Sequence, residues 1–186
     1  MKRLFDCSLA LLAALILLIP AALIAAAVRL TSRGAILYWS DRVGRANKIF
    51  RMPKFRSMRV ETPAIATDLL VDAESYLTPI GSFLRKSSLD ELPQLWCILT
   101  GEMSFVGPRP ALFNQNDLIE LRTQRRVHKL VPGLTGWAQV NGRDELSIRE
   151  KVKLDVEYLG RKSMLFDFQI LWLTFVKVIN RDGVSH

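Results

Sequence analysis

Cys7-Ser-Leu-Ala-Leu-Leu-Ala-Ala-Leu-Ile-Leu-Leu-Ile-Pro20-Ala-Ala-Leu-Ile-Ala-Ala-Ala-Val28 decides the architecture: 22 consecutive residues carry no charge. Residues 4–28 hold a single charge, Asp6. The run matches the roughly 20 apolar residues that a helix needs to cross the hydrocarbon core of a bilayer. A cleavable signal peptide has similar parts, with Met1-Lys2-Arg3 as a basic start and Ala25-Ala26-Ala27 as a small-residue site. The length of the run and the basic segment after it stand against cleavage. Residues 29–59 carry nine Lys/Arg and one acid, Asp41. Lys2 and Arg3 make the preceding flank positive too, and positive flanks stay on the cytoplasmic side. A straight span cannot place both flanks there; a helix that enters and returns can. Pro20 lacks an N–H, and its ring bends or breaks a helix. We therefore expect a re-entrant hairpin over residues 1–31, with a Pro-kinked spanning helix as the other geometry the sequence allows.

The remaining composition narrows the function. The 186 residues suffice for one domain with a modest core. Apolar residues at 49% and charged residues at 24% exclude a disordered chain. Mean hydropathy is +0.16, raised by the front end. Lys and Arg number 26 against 18 acids, a net charge of +8 that suits nucleic acid, an anionic membrane surface or a phosphorylated substrate. No recognisable nucleic-acid module accompanies the charge, so nucleic acid is not expected as a partner. Cys7 and Cys97 cannot build a disulfide framework, and His128 and His186 give no zinc-ligand spacing.

Downstream of the apolar run, residues 35–39 and 48–52 read as strands around a turn at Val43-Gly44-Arg45, a short β-hairpin. Residues 61–73 read as a loop or short helix. Residues 73–86 show helical spacing of Tyr76, Leu77, Ile80, Phe83 and Leu84, interrupted by Pro79 and Gly81. Ser88 and Glu91 have the S-x-x-E spacing of a capping box, which starts a helix with Asp90 in its first turn. Leu92, Leu95, Trp96 and Leu99 would line one face, and Gly101 would end it. A polar, basic helix follows over 111–130, then a turn-rich loop over 132–136, a short strand over 137–140 and a helix over 147–160. Residues 164–179 are almost wholly apolar yet too few to span a bilayer comfortably. Phe166, Phe168, Trp172 and Phe175 suit an amphipathic helix lying in the headgroup plane, and a buried core helix is the alternative. The fold class is α+β and helix-dominated. Residues 1–31 form the membrane hairpin, and residues 32–186 form a cytosolic, membrane-associated globular part with interfacial helices.

Several segments could carry chemistry. Asp90 and Glu91, placed in a first turn, lie beside unpaired backbone N–H groups and the positive end of the helix dipole. Such a site keeps a carboxylate ionised and attracts phosphate oxygens, and an ionised aspartate can attack a phosphoryl group. The same acids could simply cap the helix. Pro108 and Pro110 fix the backbone on both sides of Arg109, a rigid mount for bidentate phosphate recognition. Lys54 and Arg56 would share a strand face, with Arg85 and Lys86 further on, as a diphosphate site or a general membrane-surface patch. Arg125, Arg126 and Lys129 read as a solvated or membrane-facing stripe. Glycines between 133 and 142 permit close approach of backbone to a ligand, with Arg143 beside them. No standard nucleotide-binding motif is present.

Taken together, Lys2-Arg3-Leu-Phe-Asp6, Lys54-Phe-Arg-Ser-Met58, Ser88-Leu-Asp-Glu-Leu-Pro-Gln-Leu95, Gly101-Glu-Met-Ser-Phe-Val-Gly-Pro-Arg-Pro110, Pro132-Gly-Leu-Thr-Gly-Trp-Ala-Gln-Val-Asn-Gly-Arg143 and Leu154-Asp-Val-Glu-Tyr158 are specific. The chain resembles the small monotopic phosphoglycosyl transferases of the bacterial sugar transferase family, in order and over essentially its whole length. The resemblance implies transfer of a sugar-1-phosphate from a UDP-sugar to polyprenol phosphate, usually undecaprenyl phosphate, with release of UMP. It implies a covalent ping-pong route with Mg2+. Asp90 would be the nucleophile, Glu91 would aid the metal or proton handling, and both would be metal ligands. Arg109 would grip phosphate, with Lys54, Arg56, Arg85 and Arg143 as further substrate contacts. The resemblance also implies the cytoplasmic face of a bacterial inner membrane, lipid contacts, a homodimer as one oligomeric option, and the minimal catalytic unit of larger relatives. In the family the bend is often a Ser-Pro pair, whereas Ile19 precedes Pro20 here. A non-catalytic basic adaptor on anionic lipid is the rival from another class.

Overall fold

The computed structural model describes residues 1–63, 72–142 and 146–180, without the side chains of 179 and 180. Most of the expected loop over 61–73, and Arg143, lie outside the described residues. The observed fold is α+β and helix-dominated, as expected.

The apolar run forms α1 (Lys2–Ile16) and α2 (Leu18–Thr31), bent by 62°. The break falls at Leu17, not at Pro20 where sequence reading puts it. Pro20 sits in the first turn of α2, where backbone donors have no helical partner to lose. In an unbroken helix its ring would meet the Ile16 carbonyl, so the helix gives way one turn upstream. No single helix among the described residues is long and apolar enough to cross a membrane; the bent pair taken together meets that measure in length and composition alone. Asp6, Ala10 and Val28, toward the two ends of the pair, are buried against the rest of the fold. Between them Leu11, Leu12, Leu15, Ile16, Leu18, Ile19 and Leu23 are each 54% to 72% exposed.

Polar bonds fix the root of α1. Lys2 pairs with Asp167 and donates to the Val106 carbonyl at 3.2 Å. Arg3 donates to the Ile98 carbonyl and, at 2.6 Å, to that of Leu99, in the last turn of α4 (Leu95–Thr100). The Asp6 carboxylate accepts from Ser104 Oγ at 2.9 Å and from the Phe105 backbone N–H at 3.4 Å.

β1 (Leu37–Val43) and β2 (Ile49–Phe55) form the expected antiparallel hairpin, with Tyr38 opposite Lys54 and Val43 opposite Ile49. The turn falls later than expected, with Ala46 and Asn47 at positive φ. β2 is an edge strand, which accommodates Pro53. After the short helix α3 (Gly81–Lys86), the chain forms a 3₁₀ helix over Leu89–Gln94 that leads into α4. This corrects the expected capping box. Ser88 lies at φ 56°, and its side chain makes no cap bond. Gly101 does end the helix, at φ 93°. Trp96 is exposed rather than core-facing, and Cys97 and Ile98 are the buried residues of that turn.

β3 (Ser104–Val106) pairs in parallel with β5 (Gly133–Thr135), and β4 (Ala111–Leu112) adds to β1. The expected 111–130 helix is shorter, α5 (Asn116–Gln124). Arg125, Arg126 and Lys129 are exposed. The expected strand at 137–140 is instead helix α6 (Trp137–Val140), and the strand lies just before it, in the segment read as a loop. The glycines explain the exchange. A Cβ on Gly133 would stand 2.1 Å from the Gly107 nitrogen, and one on Gly136 would stand 2.1 Å from the Gly107 oxygen. Their close approach is to the 104–107 backbone, not to a ligand.

α7 (Ile148–Arg161) and α8 (Met164–Asn180) complete the fold. α8 is two-faced: Phe166, Asp167 and Ile170 are buried, while Leu165, Phe168, Trp172, Phe175 and Val178 are exposed. Phe166 therefore belongs to the core, against Tyr158 and Trp137, and not to the outer face with the other aromatics. The main core joins Ala10 of α1, Met52 of β2, Ile98 of α4, Val106 of β3 and Ile170 of α8.

A true capping box does occur, at Ser147 and Glu150 before α7. Replacing Ser147 by Ala should cost about 1 kcal/mol of stability. Ser88→Ala, which removes no cap, should change stability by less than about 0.5 kcal/mol. Denaturant unfolding of the two variants in detergent checks the contrast.

Candidate active site

The Leu89–Gln94 helix packs across β2 and carries Asp90 and Glu91 to the sheet face that Lys54 occupies. Lys54 shares that face with Tyr38, Ser40 and Arg42 of β1, because paired residues of an antiparallel ladder point to one side. Arg109 arrives from the loop after β3, between Pro108 and Pro110.

Glu91 is the electrostatic centre. Its Oε1 accepts from Lys54 Nζ and from Arg109 Nη2, each at 2.7 Å. Burial alone would raise its pKa, but the Arg109 and Lys54 cations outweigh that and hold the carboxyl well below the usual carboxylate range. Asp90 is 7% exposed, with Lys54 Nζ at 3.9 Å from Oδ2. Burial dominates there and raises its pKa above the ordinary value, with the Glu91 charge adding to the rise and Lys54, Arg109 and Arg85 opposing it. Two adjacent acids thus differ in character. Glu91 is a fixed anion, and Asp90 is a desolvated carboxylate of raised basicity. The Arg109 side chain stays 33% exposed, so its guanidinium can also meet a ligand.

Among the other expected residues, Arg85 reaches Met58 Sδ at 3.3 Å and its charge is felt at Asp90. Arg56 points elsewhere. β2 ends at Phe55, and the Arg56 guanidinium donates to the Ala35 carbonyl, the Ser32 carbonyl at 2.9 Å and Ser32 Oγ at 2.8 Å. It ties down the end of α2, apart from the carboxylates. The arrangement thus unites Asp90, Glu91, Lys54 and Arg109, and sets Arg85 nearby.

Sequence reading passes over Arg42, Arg122 and Asp155. Arg42 donates to Ser40 Oγ at 3.0 Å and to the Pro110 carbonyl at 3.3 Å. Burial, then the neighbouring Arg109 cation, lower its pKa to about 10. Its only signal in the sequence is alternation with Tyr38 and Ser40. Arg122 of α5 donates from Nη1 to the Arg109 carbonyl at 2.8 Å, and its Nε and Nη2 reach Asp155 Oδ2 of α7 at 2.9 and 2.7 Å. The segment 154–158 stands out in the sequence without revealing what its aspartate touches.

Adjacent carboxylates with a cationic surround suit Mg2+ and a diphosphate, since Mg2+ is usually held by one or two carboxylates plus substrate phosphates. Among the described residues no group of three or more His, Cys, Asp or Glu could hold a metal, so a site here would draw on substrate oxygens as well.

Comparison with known proteins places the chain in a family. The family model for bacterial sugar transferases matches residues 1–181. The chain is 41% identical over 189 residues to the uncharacterized sugar transferase EpsL of Bacillus subtilis, covering 100% of this chain and 90% of that one. It is 42% identical over 187 residues to the UDP-glucose:undecaprenyl-phosphate glucose-1-phosphate transferase of Escherichia coli, covering 95% of this chain and 40% of that protein. It is 38% identical over 196 residues to the galactosyl transferase CpsE of Streptococcus agalactiae, covering 99% of this chain and 43% of that protein. The chain thus spans about two fifths of the length of the latter two relatives. A match over nearly the whole chain meets the expectation of a transferase enzyme: the protein belongs to the bacterial sugar transferase family.

Proposed function

We propose that the chain transfers a sugar-1-phosphate from a UDP-sugar to undecaprenyl phosphate, yielding undecaprenyl-diphosphate-sugar and UMP. The observation that carries the reading is the joining of Asp90, a desolvated carboxylate, to the Lys54–Glu91–Arg109 cluster. The relative in Escherichia coli is named for such a reaction with glucose.

In the first step an Asp90 carboxylate oxygen attacks the sugar-bearing phosphorus of the donor. The P–O bond to the bridging oxygen breaks, and UMP departs with that electron pair. In the second step a phosphate oxygen of the polyprenol attacks the same phosphorus. The aspartyl P–O bond breaks, and the carboxylate is restored. Arg109 and Lys54 offset the charge that develops on the phosphoryl oxygens. Glu91 holds both cations in place. Asp90 and Glu91 would hold Mg2+ together with donor phosphates. Bound there, the ion would supply neutralisation of the diphosphate.

The acceptor is lipid-borne, so the site must work at a bilayer. Two apolar surfaces support that placement: the exposed middle of the α1–α2 pair and the outer face of α8 with Phe168, Trp172 and Phe175. Because both ends of the bent pair pack on one body, a re-entrant insertion from the cytoplasmic face of the bacterial inner membrane fits better than a span.

Asp90→Asn should lower UMP release by on the order of a thousandfold or more. UMP release from a panel of UDP-sugars, with Mg2+, undecaprenyl phosphate and detergent-solubilised protein, checks this. Full activity in Asp90→Asn would sink the covalent route. No release from any donor by the unmodified protein would favour a basic membrane adaptor.

The pH profile gives a second check. The reactive form of Asp90 is ionised, so kcat/KM should fall as pH drops through its raised pKa, above the ordinary aspartate value. Glu91→Gln removes the neighbouring anion and leaves Lys54 and Arg109 cations facing Asp90, which lowers that pKa. The acid limb should move to lower pH in Glu91→Gln. An unmoved limb would mean that a group other than Asp90 controls it.

A further inference from the structure

Behind Arg109 runs a chain of buried charge that the proposed reaction does not use directly. Asp155 is 1% exposed, on α7. It accepts two bonds from the Arg122 guanidinium, through Nε at 2.9 Å and Nη2 at 2.7 Å. The third contact of the same guanidinium reaches the loop that carries Arg109. Nη1 donates at 2.8 Å to the backbone carbonyl of Arg109, the residue whose own side chain grips Glu91 at 2.7 Å. One planar fork therefore joins a buried anion to the main chain of the loop that presents the phosphate-facing arginine. Pro108 and Pro110 limit the backbone torsions on either side of Arg109, so fixing one carbonyl leaves the loop little freedom.

We infer that Arg122, held by Asp155, is a positioning residue that sets the Arg109 guanidinium against Glu91 and the donor diphosphate. The inference rests on the proposed transferase reaction for its kinetic consequence, but its structural content is separate. A fork oriented by a buried carboxylate fixes both the direction and the height of the Arg109 carbonyl. A single ammonium could keep the ion pair with Asp155 but not both bonds at once. Arg122→Lys thus separates the fold role from the positioning role: it preserves buried charge and removes the grip on Arg109.

The test uses the full chain in detergent. Arg122→Lys should melt close to the unmodified protein yet lower kcat/KM for the UDP-sugar by roughly tenfold to a hundredfold, as expected for a misplaced binding group. In an Arg109→Met background, Arg122→Lys should cost little more, because a residue that acts through another is non-additive with it. A purely structural role would instead multiply the two losses. A readout without substrate accompanies the kinetics: the Nε–H resonance of Arg109 in 15N-arginine-labelled protein, assigned by its disappearance in Arg109→Lys. It should be a single sharp signal in the unmodified protein and broadened or shifted in Arg122→Lys. An unchanged Arg109 resonance, or multiplicative losses in the double variant, overturns the inference. If the unmodified protein releases no UMP from any donor while the resonance still responds, the transferase reading fails and the positioning role stands.

Discussion

One carboxylate oxygen organises the site. Glu91 Oε1 receives Lys54 from the sheet and Arg109 from the loop after β3, so segments far apart in the chain converge on a single acceptor. Removing that oxygen would leave two cations facing each other without their shared partner, a destabilising arrangement. The anion must therefore remain ionised, and the lowered pKa of Glu91 is the physical expression of that demand. Its neighbour lives under the opposite rule. Asp90 lies 3.9 Å from Lys54 and is governed by burial, which raises its basicity above that of an ordinary carboxylate.

A second convergence holds the apolar pair to the body. Lys2, Arg3 and Asp6 lie at the first turns of α1 and reach α8, α4 and β3 respectively. Tyr158 joins them by donating to Asp167 at 2.7 Å, so α7 and α8 meet the root of α1 at one buried hydroxyl. At the far end, Arg56 secures the end of α2 through the Ser32 and Ala35 carbonyls. The two ends of the bend are fixed by charge and hydrogen bonds, while its middle offers only hydrocarbon.

The parts of this fold that were legible in the sequence are those set by local rules. Periodicity and length reveal the apolar run, the hairpin, α7 and α8 with its aromatic face, though not the Ser147–Glu150 capping box that starts α7. The parts that were not legible depend on contacts between distant segments. Pro20 announces a bend, but the break appears at Leu17 because the clash falls on the carbonyl four residues back. Ser88 and Glu91 have capping-box spacing, yet the backbone enters the turn left-handed and a 3₁₀ helix forms instead. Residues 137–140 look strand-like, and the strand forms one step earlier, where glycines let two backbones touch. At the site, Asp90, Glu91, Lys54 and Arg109 stand out in the sequence as candidates by residue type, and it is the family resemblance that joins them. Arg42, Arg122 and Asp155 do not, since their value comes only from what the fold brings beside them. Arg56 shows the reverse error: a basic residue in a basic stretch whose partners are main-chain carbonyls.

The bond from Asp6 to Ser104 and Phe105 has a mechanical consequence. β3 leads directly into Gly107-Pro108-Arg109, so the root of the apolar helix and the loop that carries Arg109 are two ends of one short, stiff strut. On the proposed placement in a bilayer, the depth of the helix and the altitude of Arg109 above the lipid cannot vary independently. On the proposed reaction, the fold itself would then set the distance from the membrane plane to the reacting phosphorus.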